Sequence, residues 1–137
     1  MDDIRPVVLW NFFSKPFAVA GREWKRHVRR EVVTRIAGAT LASDDAAGLA
    51  AHWGSLLDRT ASALGGGVFV IELDHSALRF VPAEGRGDGF VGVDLLEARR
   101  AARGPALERA SARGLRVDRD TVWIAGTALR LVDAATP

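Results

Sequence analysis

One short pattern occurs twice in this chain. Residues 77–83 read Ala-Leu-Arg-Phe-Val-Pro-Ala, and residues 128–134 read Ala-Leu-Arg-Leu-Val-Asp-Ala, beginning 51 residues later. Each copy alternates at period two, the pattern of a strand with one face in a core. Leu78 and Phe80 share one face, Arg79 and Val81 the other; Leu129 and Leu131 likewise oppose Arg130 and Val132. Such a spacing makes the two copies the last strands of two similar modules. A chain of 137 residues is enough for one domain with a real core.

What precedes each copy has the same order. In the first module residues 35–43 form a strand, and Asp44 or Asp45 caps a helix reaching about Leu57. Its buried stripe is Leu49, Trp53, Leu56 and Leu57. A strand over 68–73 then turns back; with His75 and Ser76 as the turn, Glu72 faces Arg79 across the hairpin. Residues 83–89, Ala-Glu-Gly-Arg-Gly-Asp-Gly, are the seam between modules. In the second module residues 89–95 form a strand. Pro105 suits the first turn of a helix that Gly114 stops. Strands at 115–117 and 121–124 follow, and Ala125-Gly126 turns into the second copy. Repeat alignment puts Trp123 in the place of Glu72, opposite Arg130. Ahead of the modules, residues 1–21 are an irregular stretch rich in aromatics, and 22–32 read as an amphipathic helix with Trp24, Val28 and Val32 in one stripe. The fold class is α+β: an N-terminal arm and helix over 1–32, then a domain over 33–137 with modules at about 33–83 and 89–134.

Several classes of function drop out. There is no cysteine for a disulfide, thiolate metal site or nucleophile. The 19 basic residues, all but two of them arginine, stand against 17 acidic ones, a net charge of +2 spread along the chain. That argues against a nucleic-acid partner. No apolar run approaches the roughly 20 residues of a membrane span. The start, Met-Asp-Asp, lacks a signal peptide's basic and apolar regions. The expectation is a cytoplasmic protein with no membrane partner. Gly65-Gly66-Gly67 lacks the lysine and hydroxyl of a phosphate loop.

Two strand–helix–strand–strand–strand units in about 100 residues resemble the vicinal oxygen chelate superfamily of glyoxalase I, bleomycin-resistance proteins and extradiol dioxygenases. The residues that carry the resemblance are 39–45 (Ala-Thr-Leu-Ala-Ser-Asp-Asp) with Trp53, then 77–82, 89–94 (Gly-Phe-Val-Gly-Val-Asp) and 128–132. The chain is most similar to the uncharacterised glyoxalase-like branch. The resemblance implies a curved sheet from each module, with helices on the convex side and a ligand cleft on the concave side. It also implies four metal-ligand places, which fall on Gly38, Arg79, Gly92 and Arg130. Glycine has no ligand atom and a guanidinium only donates. No metal and no cofactor are therefore expected.

In such a cleft Arg79 and Arg130 come from equivalent strands. Arg79 has Glu72 across its hairpin, Asp94 alternates onto the cleft face, and Thr40 lies on the first strand. Arg130 has the indole of Trp123 as a cation–π partner. A guanidinium fork matches a carboxylate, so Arg130, Trp123, Arg79, Asp94 and Thr40 are the candidate ligand-binding residues. Arg130 is expected to contact the anion and Arg79 to be structural. The leading expectation is metal-independent binding of a small organic molecule, an anion such as a carboxylate. One alternative is a metal-free isomerase or lyase with Glu72 as base, although Arg79 beside it would lower its pKa; no other catalytic group is evident. Another is a protein-interaction module or dimerising domain. A homodimer is expected because the aromatic arm would otherwise leave a large apolar patch.

Overall fold

Alternation at period two places the strands. The computed structural model describes residues 23–133. The aromatic arm, with its expected strand at Val7–Leu9, lies outside the described residues. The expected helix over 22–32 is a single 3-10 turn at Trp24–His27 with no buried residue, and Val28 is exposed. An isolated helix this short is marginal in water.

Eight strands form one sheet: β1 (Val33–Ser43), β2 (Ser62–Gly65), β3 (Val68–Glu72), β4 (Ala77–Pro82), β5 (Gly89–Glu97), β6 (Arg116–Asp118), β7 (Thr121–Ile124) and β8 (Thr127–Val132). Their order is β2-β3-β4-β1-β5-β8-β7-β6. The expected equivalence holds. β4 runs parallel to β1, β8 runs parallel to β5, and the modules meet where β1 lies antiparallel to β5. Helix α1 (Ala46–Leu57) follows β1, and helix α2 (Arg103–Ala112) follows β5. Asp45 caps α1, its carboxylate accepting from the Gly48 N–H at 2.9 Å.

The helices cover one face of the sheet. Against α1 lie Leu41, Phe69, Ile71, Leu78 and Phe80, with Ile71 and Phe80 fully buried. The Trp53 and Phe80 rings meet at 6.5 Å. Part of the expected stripe fails, because Leu56 and Leu57 are exposed and the helix buries Ala46, Ala50 and Gly54 instead. Small residues there let the axis approach the sheet. A Cβ on Gly54 would stand 2.6 Å from the Arg59 carbonyl oxygen. Under α2, Leu95, Val122, Leu129 and Leu131 border a gap of about 220 Å3. No residue of α2 is buried.

Among the described residues no helix covers the opposite face. Register and alternation assign to it Gly38 and Thr40 of β1, Arg79 of β4, Gly92 and Asp94 of β5, Thr121 and Trp123 of β7, and Arg130 of β8.

Candidate functional site

The site is built from the pairing of the four central strands. In the parallel pairs, Thr40 lies beside Arg79 and Asp94 beside Arg130. Across the central antiparallel pair, Gly38 is the partner of Asp94, and Gly92 is the partner of Thr40. Gly38-x-Thr40 and Gly92-x-Asp94 are thus equivalent stretches about the module axis. Both glycines are required by close approach. A Cβ on Gly38 would meet the Ala77 carbonyl oxygen at 2.7 Å and Asp94 Oδ2 at 3.3 Å; on Gly92 it would meet the Ala128 carbonyl oxygen at 2.1 Å.

Asp94 holds Arg130 through two parallel hydrogen bonds, Nε to Oδ1 and Nη2 to Oδ2, each 2.8 Å. Those bonds keep the guanidinium more firmly protonated than an ordinary arginine, outweighing its burial. Arg79 stands further off, with Nη1 at 3.9 Å from Asp94 Oδ2. That is an ion pair without a hydrogen bond. Two guanidinium groups share one carboxylate, leaving one positive charge in excess. All three side chains are partly screened from water, Asp94 the most.

These groups border a cleft of about 320 Å3. Thr40, Arg79, Asp94, Thr121 and Arg130 supply its polar groups, while Val81, Val91, Trp123 and Ala128 are among its apolar walls. All five sequence-derived ligand candidates therefore line one cavity. A second depression of about 210 Å3 lies against the same three charged groups and is lined by Arg103, Asp120 and Asp133 as well. A larger depression, about 500 Å3, lies beside α1 away from these groups. Its guanidinium, Arg59, is held by Asp74 at 2.7 Å.

Three expectations need correction. Glu72 is exposed and faces Ala77, while Val70 faces Arg79. The turn is Asp74-His75, closed by the Leu73 N–H donating to the Ser76 carbonyl, which moves the register by one pleat. Glu72 therefore does not join the cluster as a base. Trp123 does hold the place equivalent to Glu72, but it faces Ala128; Thr121 faces Arg130. The cation over the indole is Arg116, 5.2 Å from the ring centroid. Finally, Arg130 has a carboxylate of its own and Arg79 does not, the reverse of the expected roles.

Sequence reasoning missed a buried ion pair beside the site. Glu97, 4 % exposed, accepts from Arg103 Nε and Nη2 at 2.9 Å each. Asp133 lies 3.4 Å from Arg103. No periodic signal links a strand end to the start of the next helix. The one clue was a glutamate closing an apolar strand.

No three His, Cys, Asp or Glu side chains among the described residues gather as metal ligands. At the four places implied by family resemblance, two residues have no donor atom and two are cations, so those places do not fit a metal. No helix among the described residues is long and apolar enough to cross a membrane.

No family model matches the sequence, and none of the curated proteins compared with it matches either. Solved structures do match. Methylmalonyl-CoA epimerase from Mycobacterium tuberculosis aligns with 82 % of this chain and 96 % of its own, at 13 % identity and a TM-score of 0.60. Homoprotocatechuate 2,3-dioxygenase from Brevibacterium fuscum aligns with 78 % of this chain at 15 % identity and a TM-score of 0.64, and this chain covers 34 % of that enzyme. A 2,3-dioxygenase from Pseudomonas gives 77 % and 42 % coverage, 15 % identity and a TM-score of 0.61. At such identities the likeness is one of fold.

Proposed function

With the fold of the vicinal oxygen chelate superfamily as its frame, which the epimerase and the dioxygenases share, we propose that this protein binds a small organic anion without a metal. The observation that supports this is the unequal sharing of Asp94. It accepts two hydrogen bonds from Arg130 at 2.8 Å, while Arg79, 3.9 Å away, donates none to it. The Arg79 donors are therefore open to the cleft, where a ligand carboxylate would accept charge-assisted hydrogen bonds from them. Apolar walls beside the charge suit the body of a small molecule. Arg79 is the ligand contact in this reading, and Arg130 with Asp94 positions it.

The experiment is isothermal titration of chelator-treated protein with a panel of small carboxylates. Saturable binding is expected to persist without metal and to fall at least tenfold in Arg79→Met. Binding that appears only on adding a divalent metal would defeat the metal-free reading. The same reading takes the protein as a homodimer. In support, every residue of β2, at one free edge of the sheet, is exposed, and Leu64 is 60 % exposed. An open edge with apolar residues invites a partner. Sedimentation at tens of micromolar checks this, and a monomer there would refute it.

A further inference from the structure

We propose that the ligand's charge is a single carboxylate bound at the Thr40–Arg79 edge of the cleft, where it stands in for an aspartate that the first module lacks. The inference rests on the cleft being the binding site, and it names the place and the ligand class. About the module axis, Arg79 matches Arg130, Gly38 matches Gly92, and Thr40 matches Asp94. One of these three pairs differs in charge. The second module supplies its arginine with a carboxylate from the neighbouring parallel strand. The first module offers a hydroxyl at that place, and no hydrogen bond of that hydroxyl forms within the described residues.

Space is available there. Asp94 has Gly38 as its antiparallel partner, and Thr40 has Gly92. At both glycines the Cβ position is taken up by the close approach of Ala77 and Ala128, so the room for a ligand is the cleft of about 320 Å3 that Thr40 and Arg79 border. A carboxylate arriving from the cleft therefore meets the free donors of Arg79 and the Thr40 hydroxyl.

Charge selects the class. Arg79, Arg130 and Asp94 together carry one excess positive charge, and Asp120 acts on Arg130 from the adjoining depression, so a singly charged anion suits the place better than a doubly charged one. A phosphate dianion would set its second charge toward Asp94, 3.9 Å from the Arg79 nitrogen. The body beyond the charge lies against Val81, Val91 and the Trp123 indole, so a compact, flat, apolar monocarboxylate fits.

Benzoate is a suitable probe, with inorganic phosphate as the comparison, at fixed ionic strength and with folding checked by circular dichroism. Wild type should bind benzoate at least tenfold more tightly than phosphate. Thr40→Asp supplies the missing carboxylate from the chain itself. It should raise the melting temperature and weaken benzoate at least tenfold. Thr40→Asn, neutral and similar in size, loses the hydroxyl without adding a charge and should weaken benzoate clearly less than Thr40→Asp does. Arg79→Gln should abolish binding, which keeps the test decisive if Thr40→Asp does not fold. Equal benzoate binding by wild type and Thr40→Asp would overturn the proposed position. If benzoate binding also survived in Arg79→Gln yet was lost in Arg130→Met, the cleft would remain the site with its anchor in the other module. Phosphate bound as tightly as benzoate would overturn the ligand class. No response of wild type to any small carboxylate would overturn both this inference and the reading beneath it.

Discussion

Asp94 lies beside Arg130, whereas the residue beside Arg79 is Thr40. That one difference separates two arginines with nearly the same sequence context. Replacing Arg130 removes both hydrogen bonds to Asp94, whose side chain is 17 % exposed. Hydrogen bonds to charged groups contribute roughly 1.5–3 kcal/mol, less where a partner is as open to solvent as Arg130. Arg130→Met should therefore lower stability by about 1–2 kcal/mol, and Arg79→Met should change it by less than about 0.5 kcal/mol. Urea denaturation of the two variants checks this. Equal losses would mean that Asp94 holds both arginines alike. The roles were not legible in the sequence because alternation reports the face a residue occupies and not its distance from a neighbour. That all five candidates share a face was legible, since period-two patterning determines it. Which residue stands across a hairpin was not. Both Asp74-His75 and His75-Ser76 suit a tight turn, and the choice between them decided whether Glu72 met Arg79.

At the scale of elements, the two helices are unequal although the strands beneath them match. α1 carries Trp53 over Phe80 and buries Ala46, Ala50 and Gly54. α2 buries nothing fully and bridges a gap to which it contributes Ala106 and Ala110. Neither face of α2 has a large aromatic, which the sequence of 103–112 shows. The sparse packing follows from that. Ala110→Leu should place apolar atoms in the gap and raise stability by about 0.5–2 kcal/mol, measured as a shift of the thermal midpoint. A drop would mean that the helix is held too close to admit a larger side chain. The equivalence of the two modules was legible through the repeat, whereas the strand order and the β1–β5 seam were not, because period-two patterning does not report which strands pair. The leucine stripe of α1 was read too broadly. Periodicity counts Leu56 and Leu57 toward the apolar face, yet the left-handed residue Asp58 ends the helix just after them, where they are exposed.

At the scale of the whole molecule, the seam couples the two halves. β1 and β5 pair along most of their length, and the chain crosses between the halves at 83–88. That crossing is an exposed loop, apart from Ala83. Its Glu84, Gly85 and Gly87 have positive φ, and Asp44 and Asp88 tie it to the start of α1. Hydrogen bonds across the seam do not depend on that loop. A chain cut between Gly85 and Arg86 should therefore yield two fragments that recombine when mixed, recovering the circular dichroism of the intact protein. Fragments that stay apart at tens of micromolar would show that the tether is essential. The seam also has an implication for lineage. Ala39 and Val93 face each other at its centre, at equivalent points of the repeat, so the axis passes between them. An ancestor with one module would have offered its first strand to a second copy of itself, in the same antiparallel sense. The present chain is then a dimer in all but its covalent link. With both halves in one chain the two need not be identical, and an aspartate stands in one where the other holds a threonine.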